Sequence, residues 1–143
     1  MDDALLGLAR VAAAMFTGAA FYITLVEQPA RMQLQSSLAI AAFCAELPRV
    51  ERMQPLLLLV SLMAALSSWS QRPATSTLLA SVCLALILPL SFGWLVPINR
   101  RLRTASADER AAFGMALLSR WGKLHALRSC LGLLGTVLLH AAG

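Results

Sequence analysis

At 143 residues the chain has about one domain's length. With 59% hydrophobic and only 13% charged residues it is not an ordinary soluble globule, in which roughly a quarter of residues carry charge. The net charge of +5 does not point to nucleic acid, because the basic residues flank long apolar runs, as the positive-inside bias of membrane proteins places them. Cys44, Cys83 and Cys130 share no metal-ligand or redox spacing, so no disulfide is expected.

Four runs are long enough to cross a bilayer core of about 30 Å, which takes about 20 predominantly apolar residues. The first, about 4–28, reads "ALLGLARVAAAMFTGAAFYITLV" and holds one charge, Arg10. It follows "MDD" rather than a cationic leader and is too long for a signal peptide, so it is expected to be retained. Pro29 is expected to end this helix, since the residue before a proline avoids helical geometry. In "QLQSSLAIAAFCAEL" (33–47), Leu34, Leu38 and Ala42 fall four apart with Phe43 beside them. That spacing predicts a short amphipathic helix on the membrane face or tucked under the bundle. The second run (53–70) and the third (75–98) are joined by the tight turn "SQRPATS", and Pro89 predicts a kink in the third. Ser106 with Glu109 three residues on is a helix-start signal, so a helix is expected near 107. Its extension, 107–121, leads into the fourth run, 122–141. The chain therefore reads as an all-α, integral membrane four-helix bundle, a single domain over 1–143, with a short amphipathic helix in the first cytoplasmic connection.

Nine basic residues lie on one side of the membrane in this reading: Arg31, Arg49, Arg52, Arg100, Arg101, Arg103, Arg110, Arg120 and Lys123. Only Arg10 and Arg72 lie on the other. The bias puts both long connections in the cytoplasm and both termini in the periplasm of a bacterial inner membrane.

Advancing about 100° per residue along the last helix puts Trp121, His125 and Arg128 within an arc of roughly 60°. Gly132 and Gly135 continue that face, while Arg120 and Lys123 point away toward lipid headgroups. Glu27 near the end of the first helix and Asn99 near the end of the third fall at the same depth, with Tyr22 near mid-membrane. Ionisable groups inside a membrane are costly, and they mark a functional site or a structural ion pair, here Glu27 with Arg128. His125 is the side chain of the set that exchanges protons near neutral pH. The glycine face can pack within the chain or against a second copy, so a homo-oligomer stays open.

A metal would have to draw on His125, Glu27 and Glu46 or Glu51, yet no His-x-x-x-His, Glu-x-x-His or cysteine cluster occurs. His140 lies at the opposite face, so one chain does not supply two axial haem ligands. No cofactor is expected from these patterns, which leave a metal or haem open. Nucleophile-elbow, P-loop and dinucleotide signatures are lacking.

"VEQPARMQ", "ERMQPLLLLV", "PINRRL" and "RWGKLHALRSCLGLLGT", in that order, resemble the anthrone oxygenase-like family of small bacterial and fungal membrane proteins, over about residues 8–140. The family's motif positions fall on Glu27, Pro29, Arg31, Pro97, Asn99, Arg100, Leu102, Trp121, His125 and Arg128. The resemblance implies oxidation of a lipophilic phenolic or polycyclic substrate by molecular oxygen. On chemical grounds His125 would be the general base, Arg128 and Asn99 would hold an enolate oxygen, and Glu27 would position Arg128 or the imidazole. Trp121, Trp94, Phe92 and Tyr22 would face the flat substrate. The alternative is a non-catalytic accessory or small-lipophile-binding membrane protein in which the Glu/Asn/His/Arg cluster is structural.

Overall fold

The computed structural model describes residues 2–142, and within them four long helices are joined by short turns. Helix α1 starts at Asp2–Tyr22, widens into a π-helical turn at Ile23–Glu27 and continues as Gln28–Met32. Helix α2 is Ser36–Gln71. Helix α3 runs Thr75–Leu90, a π turn Ser91–Leu95, then Val96–Thr104. Helix α4 begins Ala107–Glu109, widens at Arg110–Gly114 and runs on as Met115–His140. The four alternate in direction, with α1 against α2 and α4, and α3 against α4 and α2.

Three helices, Asp3–Met32, Ser36–Gln71 and Thr75–Thr104, are long and apolar enough to cross a membrane. Their outward residues, among them Leu8, Val11, Met15, Leu25, Leu59 and Leu86, are exposed apolar side chains suited to lipid. The bundle is an integral membrane fold. α4 is less apolar because it carries Lys123, His125 and Arg128, yet the last two are turned inward and buried.

Pro29 does not end α1, and α3 does not stop at Pro97. A proline inside a helix has no N–H to donate and its ring clashes with the carbonyl four residues back. In both helices a wide turn closes two residues before the proline, Ile23–Glu27 before Pro29 and Ser91–Leu95 before Pro97. A wide turn shifts that carbonyl, so the helix continues. The wide turn of α3 also follows Pro89, where the sequence predicts the kink.

The amphipathic segment 33–47 is likewise not a separate helix. It is continuous with α2 through Pro48 and Pro55. At 1.5 Å per residue the 36-residue α2 is about 54 Å long, well over the bilayer core, so its first turns stand beyond it. There Ala39, Ile40, Phe43 and Leu47 are buried, and Ile40 packs so closely on Gly114 that a Cβ at that position has no room. The Ser106 cap forms as expected. Glu109 N donates to Ser106 Oγ at 3.3 Å, and Ser106 N donates to Glu109 Oε2 at 2.8 Å.

Two apolar cores are stacked along the bundle. Nearer the termini lie Ala9, Ala13, Phe16, Leu58, Leu62, Leu84, Ile87 and Leu139. Nearer the basic end lie Ile23, Phe43, Leu47, Leu95, Ile98, Leu102, Leu118 and Trp121. The chain positions between the two sets are where Gln54, Ser91, His125, Arg128 and Ser129 fall. A polar layer thus sits between two greasy ones. The Gly132 and Gly135 face is used within the chain: a Cβ at Gly132 would stand 2.9 Å from Phe16 Cε1, and one at Gly135 3.0 Å from Leu84 Cδ2.

Candidate functional site

A cavity of about 260 Å³ opens between α2, α3 and α4 at the polar layer. Leu47, Val50, Leu58, Leu88 and Leu95 give it apolar walls, and Phe92 and Val96 stand exposed at its outer side. Its polar residues are Glu51, Ser91, Asn99, Trp121 and Arg128. Ser91 Oγ, Asn99 Oδ1, Trp121 Nε1 and Arg128 Nε are all buried and make no hydrogen bond within the protein. A buried polar group without a partner costs about 1–3 kcal/mol, and a charged one more. Four such atoms belong to residues of α3 and α4 that line this one cavity. Gln54, fully buried beside this layer, has both amide atoms unpartnered.

Arg128 decides the electrostatics. It is 8% exposed and has no carboxylate within ion-pair distance among the described residues. Its guanidinium lies 5.1 Å over the Phe16 ring. A desolvated cation–π contact is worth about 2 kcal/mol, less than the several kcal/mol it takes to bury a charge. The cavity wall therefore favours an anion or a developing negative charge.

His125 lies one layer behind. It is 1% exposed and stacked on Trp121, ring centroids 4.6 Å apart and planes 23° apart. Its Nδ1 is 3.1 Å from Thr24 Oγ1, which also meets Ala20 O and Ser129 Oγ at 2.9 Å, while Ser129 Oγ donates to His125 O. Each hydroxyl carries one hydrogen, so these contacts hold three bonds if Nδ1 is protonated and two if it is not. The Nδ1–H tautomer is favoured, which leaves the lone pair on Nε2. That atom is buried and unpartnered, and His125 does not line the cavity.

Glu27 is not the partner of Arg128. It stands 3.7 Å from Arg31, which is 5% exposed, pairs with Glu46 and donates to Gln28 Oε1 at 2.8 Å. Gln28 Nε2 in turn donates to Leu118 O at 2.9 Å, tying α1 to α4. Trp121 borders both this ion-pair cluster and the cavity.

Asn99, Arg128, Trp121 and Phe92 are thus brought together, His125 sits behind them, and Glu27 belongs to a neighbouring cluster. Trp94 is 49% exposed and lies on a different cleft with Arg101 and Arg120. Tyr22 is 55% exposed and borders no cavity with these residues. Sequence reasoning passed over Glu51 except as a metal ligand. Here it accepts from Asn99 Nδ2 at 3.0 Å and from Arg103 Nη1 at 3.1 Å, and it lines the cavity. Gln54 in "RMQPLLLLV" and Ser91 beside "LPL" were visible as polar interruptions of apolar runs. Among the described residues no three His, Cys, Asp or Glu side chains cluster as metal ligands.

A family model described as anthrone oxygenase matches residues 47–138, nearly two thirds of the chain. The chain belongs to the anthrone oxygenase family. No curated protein and no solved structure matches it. Every residue of the cavity falls inside the anthrone oxygenase match, whereas Glu27, Arg31 and Thr24 precede it.

Proposed function

We propose that the protein oxidises a lipophilic polycyclic or phenolic ketone of the anthrone type with molecular oxygen, in the cavity between α2, α3 and α4. What carries this reading is Arg128, a buried cation with no carboxylate partner among the described residues, on the wall of a largely apolar cavity. A volume of about 260 Å³ is near the lower end of small-molecule pockets, which start at about 300 Å³, and suits a compact flat ring system. Such a substrate dissolves in the bilayer and enters past Phe92. By the positive-inside bias the basic end faces the cytoplasm and both termini the periplasm of a bacterial inner membrane.

The ring carbon opposite the carbonyl bears two hydrogens. Glu51, the carboxylate on the cavity wall, takes one as a proton, and the carbonyl becomes an enolate oxygen facing Arg128 and the Trp121 Nε1–H. The two donors stabilise that charge in a dry site, where one such donor is typically worth about 100–1,000-fold in rate. Asn99 Nδ2 already donates to Glu51, so its free Oδ1 suits a phenolic hydroxyl of the substrate. The enolate carbon transfers its electrons to oxygen and forms a C–O bond, giving a hydroperoxide. Loss of the second proton with cleavage of the O–O bond releases water and leaves a ketone. The sum is one methylene plus one O₂ to one carbonyl plus one H₂O.

His125 acts through Trp121 in this scheme, holding the indole against the cavity. The test is oxygen uptake by lipid-reconstituted protein given an anthrone, with the spontaneous rate subtracted. One O₂ per quinone formed is expected, and Glu51→Gln should lower the rate by about 100-fold or more. His125→Ala, if folded, should lower it far less. Turnover indifferent to both Glu51→Gln and Arg128→Met overturns the scheme. The ties of Glu51 to Asn99 and Arg103 favour a second reading, a lipophile-binding protein without turnover. It would show saturable anthrone binding and no uptake.

A further inference from the structure

On the outer side of α3 at the basic end, two clefts meet along Pro97 and Arg101. One, about 230 Å³, is lined by Trp94, Ile98, Arg101, Leu117 and Arg120. The other, about 450 Å³, is lined by Phe92, Val96, Arg100, Arg101 and Thr104. No carboxylate borders either cleft. Arg100, Arg101 and Arg120 are exposed and their guanidinium groups make no ion pair or hydrogen bond among the described residues, while Arg103 beside them is engaged by Glu51. Arg101 is fixed by the Phe113 ring, 4.4 Å from its guanidinium carbon.

The arrangement is layered along the helix axis. Phe92 and Trp94 lie on the wide turn and face outward, 68% and 49% exposed. Arg101 is seven residues beyond Trp94, about 10 Å along the axis. An aromatic ring at the depth of acyl chains below a guanidinium at the depth of phosphates matches the order of a membrane interface. Gly93 between the rings leaves open space, with nothing within 4 Å of where its Cβ would stand.

We propose that these joined clefts bind the phosphate headgroup of an anionic phospholipid. Arg101 and Arg120 clamp the phosphate from α3 and α4, Arg100 serves the adjoining cleft, and the acyl chains lie over Phe92, Gly93 and Trp94. None of the three arginines lines the reaction cavity, although one cleft shares Phe92 and Val96 with its outer side. Bound lipid would brace the wide turn that also carries Ser91 and Leu95 of the cavity wall.

The test is native mass spectrometry of protein released from nanodiscs of phosphatidylglycerol or of phosphatidylcholine. One retained phosphatidylglycerol per chain is expected and no retained phosphatidylcholine. Arg101→Gln with Arg120→Gln should weaken retention about 25-fold, roughly fivefold per guanidinium. Arg49→Gln with Arg52→Gln, two exposed basic residues at the same end, should leave it unchanged and shows whether any arginine would serve. Equal retention of both lipids, equal loss in the two double variants, or displacement of the lipid by millimolar inorganic phosphate each overturns the proposal.

Discussion

Trp121 lies flat on His125 and seals it from the cavity, ring planes 23° apart and centroids 4.6 Å apart. The same indole meets Phe43 edge-on, with centroids 5.0 Å apart, so it is held from two sides. A histidine in this setting shapes the wall through its neighbour.

It follows that His125 is chemically shielded. Diethyl pyrocarbonate should modify exposed His140 and spare His125 in the native protein. Trp121→Ala should make His125 reactive, with about 3–5 kcal/mol lost in stability as the cavity enlarges. Peptide mass mapping reads both sites. Rapid modification of His125 in the native protein contradicts the shielding.

The glycines separate by environment. Gly132→Ala puts a methyl 2.9 Å from Phe16 and 3.1 Å from Thr17 Oγ1, beneath the ring that carries Arg128. It should destabilise by about 1–3 kcal/mol, seen as a lower Tm in detergent. Gly18→Ala meets nothing within 4 Å and should be neutral or stabilising, by up to about 1 kcal/mol. Equal effects would mean that α1 and α4 do not meet along this face.

Arg31 should matter more than its partner. Arg31→Ala removes a buried side chain, leaves the buried Gln28 Oε1 without its donor and Glu46 without its cation, and should destabilise by roughly 3 kcal/mol. Glu46 is 44% exposed and Arg31 keeps Glu27 at 3.7 Å when Glu46 is replaced, so Glu46→Gln should cost less, about 1–2 kcal/mol. Thermal unfolding of the two variants decides it.

The start of α4 carries a pH dependence. Hydrogen bonds from the Ser106 backbone and side chain hold the Glu109 carboxyl below its ordinary value of 4.5. A folded-state value below the unfolded one means that the cap's contribution is present above about pH 4.5 and fades as the pH falls through the depressed value. Amide exchange at Arg110–Gly114, corrected for intrinsic rates, should lose protection in that acid range. Glu109→Gln should abolish the acid step.

The long apolar runs, the cap at Ser106 and the inward face of Trp121, His125 and Arg128 were legible in the sequence, because helical periodicity and run length carry them. The helix ends were not. Pro29 read as a stop and the third run as ending at 98, since nothing in "ITLVEQP" or "SFGWLVP" announces a wide turn, a tertiary accommodation rather than a propensity. The pairing of Arg31 with Glu46 was hidden for a related reason. It depends on α2 rising straight from the turn at Gln33–Gln35, where an amphipathic helix lying flat would have carried Glu46 away. Run lengths set Glu27 and Arg128 at one depth, but Arg128 lies over Phe16, eleven residues before Glu27 and about 16 Å along α1, so the two only looked like partners.

The most direct test of the reaction cavity is photolabelling with an anthraquinone, whose excited carbonyl abstracts hydrogen from neighbouring C–H bonds and then couples to them. Irradiated with the lipid-reconstituted protein, it should attach to Leu47–Leu58 of α2 and Leu88–Val96 of α3, and Arg128→Met should sharply reduce the yield. Labels spread over the outer faces of α1 and α3, or confined there, with no dependence on Arg128, would contradict the cavity as the place where the substrate binds.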